Sequence, residues 1–95
     1  MQPLDVLLDP RSLDLPARPV VERIEWYKAN DQIGDPAFFI TVVLAEGTSD
    51  DERHWQDLGP IERRLGDALS AAGYAEWPYF RFRTPTELEI ERRAA

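Results

Sequence analysis

The pattern of apolar and polar positions predicts three β-strands in this chain of 95 residues. The first, at residues 20–28, alternates between apolar and charged side chains. The second, at residues 37–45, is apolar on both faces, which is typical of a strand covered on both sides. The third, at residues 77–84, carries Phe80 and Phe82 at one parity and polar side chains at the other.

A helical period replaces the two-residue period after Gly47. Ser49 and Glu52 have the spacing of a capping box. Apolar residues then recur at helical spacing, at Trp55, Leu58, Ile61, Leu65, Leu69 and Ala72. We expect this helix to be broken, with one segment ending before Gly59 and a second beginning at Pro60, and the alternative is a single kinked helix. Gly73 predicts a left-handed C-terminal cap.

The two ends of the chain lack a clear period. Residues 1–19 contain four of the eight prolines and predict an irregular N-terminal arm whose leucines pack partly on the body. Residues 20–95 are predicted to form a single domain. Residues 84–93 fit either a helix that begins at Thr84 or, from the spacing of Leu88 and Ile90, a short extended edge, and the extended edge is the prediction.

The order of strand, strand, helix and strand predicts an α+β fold. We expect a small two-layer sandwich, in which a broken helix covers one face of an antiparallel or mixed sheet of three to four strands. The first two strands should pair antiparallel because a short loop joins them. A domain of this size has a thin core, which favours association with a partner or a second copy.

Composition limits the chemistry that the chain can perform. The sequence contains no cysteine, which excludes disulfides, thiolate nucleophiles and cysteine-ligated metals. It contains one histidine, His54, so we expect no metal site and no cofactor. Asp50 and Asp51 could join His54 in a weak cation site, but the first turn of a helix explains these acids as well. Catalysis is therefore not expected.

The setting that we expect is the cytoplasm of a bacterium. No apolar run is long enough to cross a membrane, and the first ten residues lack the basic region of a signal peptide. Ten arginines stand against a single lysine, which indicates a GC-rich genome.

Four residues are candidates for binding: Tyr27, Tyr79, Arg81 and Arg83. The principal hypothesis is a small interaction or regulatory protein that binds a protein partner or forms a homo-oligomer, since tyrosine and arginine are favoured at interfaces. The alternative is a nucleic-acid-binding module that uses the same sheet face. The formal net charge of −7 disfavours that alternative.

A purely structural interpretation of the third strand is also open. Phe80 and Phe82 would then enter the core, and Arg81 and Arg83 would lie on a solvated face and be dispensable for folding. Glu22 and Glu25 of the first strand would be their partners across the sheet.

Overall fold

The computed structural model describes residues 3–95. The predicted α+β class and the predicted order of elements are confirmed. The strands are β1 (Val21–Asn30), β2 (Pro36–Leu44) and β3 (Trp77–Arg83). They form one sheet in the order β1-β2-β3, in which β2 pairs antiparallel with β1 and parallel with β3. Met1 and Gln2, the start of the predicted arm, lie outside the described residues.

Three α-helices accompany the sheet in the described part of the chain. They are α1 (Leu4–Leu7), α2 (Trp55–Ala71) and α3 (Pro85–Ala94). Short 3-10 turns occur at Pro10–Ser12 and Asp50–Glu52. The N-terminal arm is therefore more regular than its prolines predict.

The predicted break of the main helix is at the wrong place. The chain forms one 3-10 turn after Ser49, and α2 then runs without interruption through Gly59 and Pro60. The side chain of Ser49 makes no capping hydrogen bond, so the predicted capping box is also wrong. The break falls instead at residues 53–54, between the 3-10 turn and α2.

The C-terminal end of α2 confirms the prediction for Gly73. This glycine has a φ of 89°, a conformation that residues with a Cβ rarely adopt. Its N–H donates to the carbonyl of Ser70 at 3.0 Å, and the N–H of Tyr74 donates to the carbonyl of Leu69 at 3.1 Å. These two bonds are those of a Schellman motif, which ends the helix and directs the chain toward β3.

The prediction of an extended edge after Thr84 is wrong, because these residues form α3. The Thr84 side chain accepts from the N–H of Glu87, and the Glu87 carboxylate accepts from the N–H of Thr84 at 2.8 Å. Pro85 occupies the first helical position, where its missing N–H costs nothing. The local capping signals therefore outweigh the two-residue spacing of Leu88 and Ile90.

One face of the sheet shares a hydrophobic core with α2 and the arm. Alternate residues of β2 and the apolar side of α2 are almost completely buried in one cluster: Phe38, Ile40, Val42 and Leu44 from β2, and Ile61, Leu65 and Leu69 from α2. Leu4, Leu7 and Leu8 complete the cluster, which confirms that leucines of the arm pack on the body. Phe80 and Phe82 are half-buried against it, as the parity of β3 predicts.

The second face of the sheet is partly covered by α3, which was not predicted as a helix. Val43 is fully buried and Thr41 nearly so, although both alternate with the core residues of β2 and point to the opposite face. Glu91 of α3 contacts both Arg81 and Arg83 of β3. α3 therefore lies at the end of this face where β2 and β3 finish, and the other end remains open.

Candidate functional site

Three aromatic rings, one from each strand, form a stacked row on the second face. The register places Tyr27 opposite Phe39 and Phe39 opposite Tyr79. The centroids of Tyr27 and Phe39 are 5.1 Å apart with their planes 12° from parallel, and those of Phe39 and Tyr79 are 5.3 Å apart and 15° from parallel. We call these three residues the aromatic ladder. Tyr27 is 61% exposed and Tyr79 42%, so the ladder meets solvent.

The structure divides the four predicted binding residues into two pairs. Tyr27 and Tyr79 come together through Phe39, whereas Arg81 and Arg83 lie farther along β3, toward α3. Phe39 also belongs to the site, although it was not among the predicted binding residues. The available signal was its parity within β2, which separates it from the core residues Phe38 and Ile40.

The two arginines of β3 form hydrogen bonds and ion pairs with other residues of the same chain. Nε of Arg81 donates to Oγ1 of Thr41 at 2.8 Å, and its Nη1 donates to Glu91 at 2.8 Å. Nε of Arg83 donates to the same carboxylate at 3.0 Å, and its Nη1 donates to the carbonyl of Phe82 at 2.9 Å. These side chains attach α3 to the sheet, so the interpretation of them as merely solvated is incomplete.

The predicted partners of these arginines contact a different arginine. Nε of Arg23 lies 2.9 Å from Glu25, and its Nη1 lies 3.6 Å from Glu22. Because β2 separates β1 from β3, carboxylates on β1 are not neighbours of β3. The predicted pairing is therefore wrong, since it assumed an adjacency of strands that the sheet does not have.

A second ion pair attaches the start of α3. Nη1 of Arg53 lies 2.9 Å from Glu87, and its Nη2 donates to the carbonyl of Phe82 at 3.0 Å. The hydrogen bond from Arg53, and then that from the N–H of Thr84, lower the pKa of Glu87. The hydrogen bond from Arg83 is the main cause that lowers the pKa of Glu91.

We expect α3 to loosen selectively in acid. A carboxyl whose pKa is lower in the folded state stabilises the fold fully above its unfolded pKa of about 4.3 and loses that effect as the pH falls through the folded value. Protection factors of the α3 amides, measured by hydrogen exchange, should therefore fall between about pH 5 and pH 3 more than those of α2. The variant Glu91→Gln should reduce this difference. Equal changes in α2 and α3 would contradict the expectation.

The turn between β1 and β2 borders the ladder on the side away from α3. Oδ1 of Asp31 accepts from the N–H of Ile33 at 3.1 Å and from the N–H of Asp35 at 2.9 Å. Its Oδ2 accepts from the hydroxyl of Tyr79 at 3.1 Å. The hydrogen bond from the N–H of Asp35 is the main cause that lowers the pKa of Asp31. The hydrogen bond from the Tyr79 hydroxyl to Asp31 is the main cause that raises the pKa of Tyr79. The turn is therefore ordered and connected to the ladder, with Ile33 82% exposed at its tip.

Two shallow hollows lie on either side of the ladder. One, of about 260 Å³, is bounded by the ladder and by Thr41 and Arg81. The other, of about 340 Å³, lies between the ladder and the turn that contains Asp31 and Ile33. Both are open depressions that suit single side chains of a partner rather than an enclosed small molecule.

The other candidate chemistry is not assembled into a site. His54 is exposed at the N-terminal end of α2. Asp50 and Asp51 lie in the preceding 3-10 turn. Across residues 3–95, no three potential metal-ligating side chains come together in one cluster.

Neither the lengths of the helices nor comparisons with known proteins indicate a function for this site. In the described part of the chain, every helix is too short or too polar to cross a membrane. Comparisons with protein-family models, with curated proteins and with solved structures found no match to this chain.

Proposed function

We propose that this protein is a non-catalytic interaction protein that binds another polypeptide through the aromatic ladder. The observation that carries the proposal is the stack of three aromatic rings open to solvent on one half of a sheet face. Trp77 lies on the same face and is 66% exposed, and Ile33 lies beside the ladder. Contiguous exposed apolar surface of this kind is characteristic of interaction sites.

The engagement of the β3 arginines favours a protein partner over a nucleic acid. Arg81 and Arg83 share Glu91, which offsets part of the positive charge that phosphate contacts require. Phe39 is stacked between Tyr27 and Tyr79, so both of its ring faces are already in contact with a neighbouring ring. A nucleic-acid base therefore cannot stack on Phe39. The acidic turn at Asp31 and Asp35 would repel a phosphate backbone next to the ladder.

The chemistry of Tyr79 supports binding rather than catalysis. Its hydroxyl donates to Asp31, and this bond raises the pKa of a phenol that is already protonated near neutral pH. A phenol in this state is a poor nucleophile or base. A cytoplasmic, regulatory setting is part of this proposal, and the cysteine-free sequence is compatible with it.

The test is a comparison of captured polypeptides across matched aromatic variants. Tagged wild-type protein, Tyr27→Ala and Trp55→Ala are produced in the cells of origin and purified at native level, with and without nuclease. Trp55 is 68% exposed on α2, which makes it a control for the loss of an exposed ring elsewhere. We expect a polypeptide that wild type and Trp55→Ala retain and that Tyr27→Ala loses by about tenfold or more.

Two results would contradict the proposal. Retention of the same polypeptide by Tyr27→Ala would place the binding surface elsewhere on the molecule. Loss of the bound material on nuclease treatment, or a steep fall of affinity with salt, would identify a nucleic acid instead.

A further inference from the structure

We infer that the polypeptide bound by the ladder is a second copy of this chain, in a symmetric dimer where the outer side of each α3 packs on the ladder of the other copy. This inference rests on the proposed function, because it uses the ladder as the binding surface. It adds a second surface, the outer side of α3, which the proposed function does not use.

The shape of the second sheet face suits this arrangement. α3 covers the end of the face near Arg83, and the end that contains the ladder is open. A helix with its side chains is about 10 Å thick, so the covered end of the face is higher than the open end by about one helix diameter. We call this difference in height the step. Consider a two-fold axis that lies above this face, parallel to the sheet and perpendicular to the strands. Rotation about it brings each α3 over the open end of the other copy. Both steps are then filled by the same contact, as a self-complementary two-fold interface requires.

The outer side of α3 carries an exposed apolar side chain. Leu88 is buried, and Glu91 contacts the arginines of β3, so these two residues mark the inner side of the helix. Ile90 follows Leu88 by two residues, which places it about 200° around the helix, and it is 61% exposed. In the dimer, Ile90 would lie against the aromatic ladder of the other copy and exclude water from both.

The charges beside the two surfaces are complementary. The last turn of α3 carries Arg92 and Arg93, which share the single carboxylate of Glu89 at 3.1 and 3.0 Å. The turn beside the ladder carries Asp31 and Asp35, and neither forms an ion pair with another residue in the range 3–95. Arg92 and Arg93 therefore leave an excess of positive charge next to Ile90 in the sequence, and Asp31 and Asp35 leave an excess of negative charge beside the ladder. Docking of α3 on the ladder therefore brings opposite charges together twice in the dimer.

Sedimentation of wild type and three single variants tests the arrangement. Ile90→Asp alters the helix surface, Tyr27→Ala alters the ladder, and Trp55→Ala is the control with an exposed ring removed elsewhere. The three side chains are exposed, so circular dichroism should report the wild-type fold for all of them. We expect wild type and Trp55→Ala to dimerise in the micromolar range, and Ile90→Asp and Tyr27→Ala each to weaken dimerisation by about tenfold or more.

Mixing the two defective variants tests the reciprocal contact. An Ile90→Asp copy retains an intact ladder, and a Tyr27→Ala copy retains an intact α3, so a mixed dimer regains one of the two contacts. We therefore expect the mixture to associate more strongly than either variant alone. Absence of this gain would exclude the reciprocal arrangement and favour direct ladder-to-ladder packing.

The remaining outcomes separate this inference from the proposed function. A wild-type protein that sediments as a monomer, or an Ile90→Asp variant that dimerises like wild type, overturns the inference. The proposed function survives either result if Tyr27→Ala still loses a different captured polypeptide. Dimerisation and capture that are both unaffected by Tyr27→Ala overturn both.

Discussion

Replacement of Leu65 by alanine should lower the free energy of unfolding by about 2–5 kcal/mol. Leu65 is fully buried in the middle of α2 and belongs to the cluster that joins this helix to Ile40 of the central strand. Truncation removes apolar contacts and leaves a cavity that a helix fixed at both ends cannot close. The free energy of unfolding of a small domain is only about 5–15 kcal/mol, so the variant should lose a large part of its stability.

Urea unfolding, followed by far-ultraviolet circular dichroism, measures this loss. Val20→Ala is the control, because Val20 is 50% exposed and its substitution should change the free energy of unfolding by about 0.5 kcal/mol or less. A decrease below about 1 kcal/mol for Leu65→Ala would mean that α2 is not packed on the sheet as described.

Replacement of Pro60 by alanine should raise the free energy of unfolding by about 1–2 kcal/mol. Pro60 lies in the second turn of α2, where its ring nitrogen cannot donate to the carbonyl of Gln56. Alanine restores this hydrogen bond and removes the clash of the ring with the preceding turn. Part of the gain, about 0.4–1 kcal/mol, is offset because the unfolded chain becomes more flexible.

Gly66→Ala is the matched comparison for this variant. An added Cβ at Gly66 meets no atom within 4 Å, so alanine there improves helix propensity by about 1 kcal/mol and restores no hydrogen bond. Thermal unfolding of the two variants and of the double variant should give additive gains, since the sites lie almost two turns apart. A Pro60→Ala protein less stable than wild type would mean that the restricted unfolded chain, or contacts of the ring beside the hollow that it lines with Leu15 and Pro16, outweigh the hydrogen bond.

The sequence predicts the elements of this fold better than their ends and partners. Alternation identifies β1 and β3, because one face of each is more buried than the other. β2 is buried on both faces, and its continuous apolar, β-branched and aromatic run identifies it instead. The break expected at Pro60 fails because Leu58, before the proline, and Ile61, after it, both pack in the same core. Their burial stabilises a continuous helix against the cost of proline. The strand expected after Thr84 fails because the apolar spacing of Leu88 and Ile90 reflects one buried and one exposed position of a helix.

The candidate site is less predictable, because it depends on neighbours that are distant in sequence. Parity within a strand separates Tyr79 from Phe80, but it does not say which residue of β2 lies beside Tyr79. That neighbour is Phe39, and it follows from a parallel register that no local pattern determines. The same limitation explains why Glu25 was expected beside Arg81, although β2 lies between their strands.

From the parallel pairing of β2 with β3 we also expect an order in which the molecule folds. The hairpin of β1 and β2 closes through a short turn, whereas Ala37 pairs with Trp77 only after the chain between them has crossed the sheet. Such long closures cost more entropy and are made late. Until then β2, the most apolar strand, has one unpaired edge and is open to pairing with another chain. The ladder, which needs Tyr79 of β3, should therefore form only after the stage at which this unpaired edge is exposed.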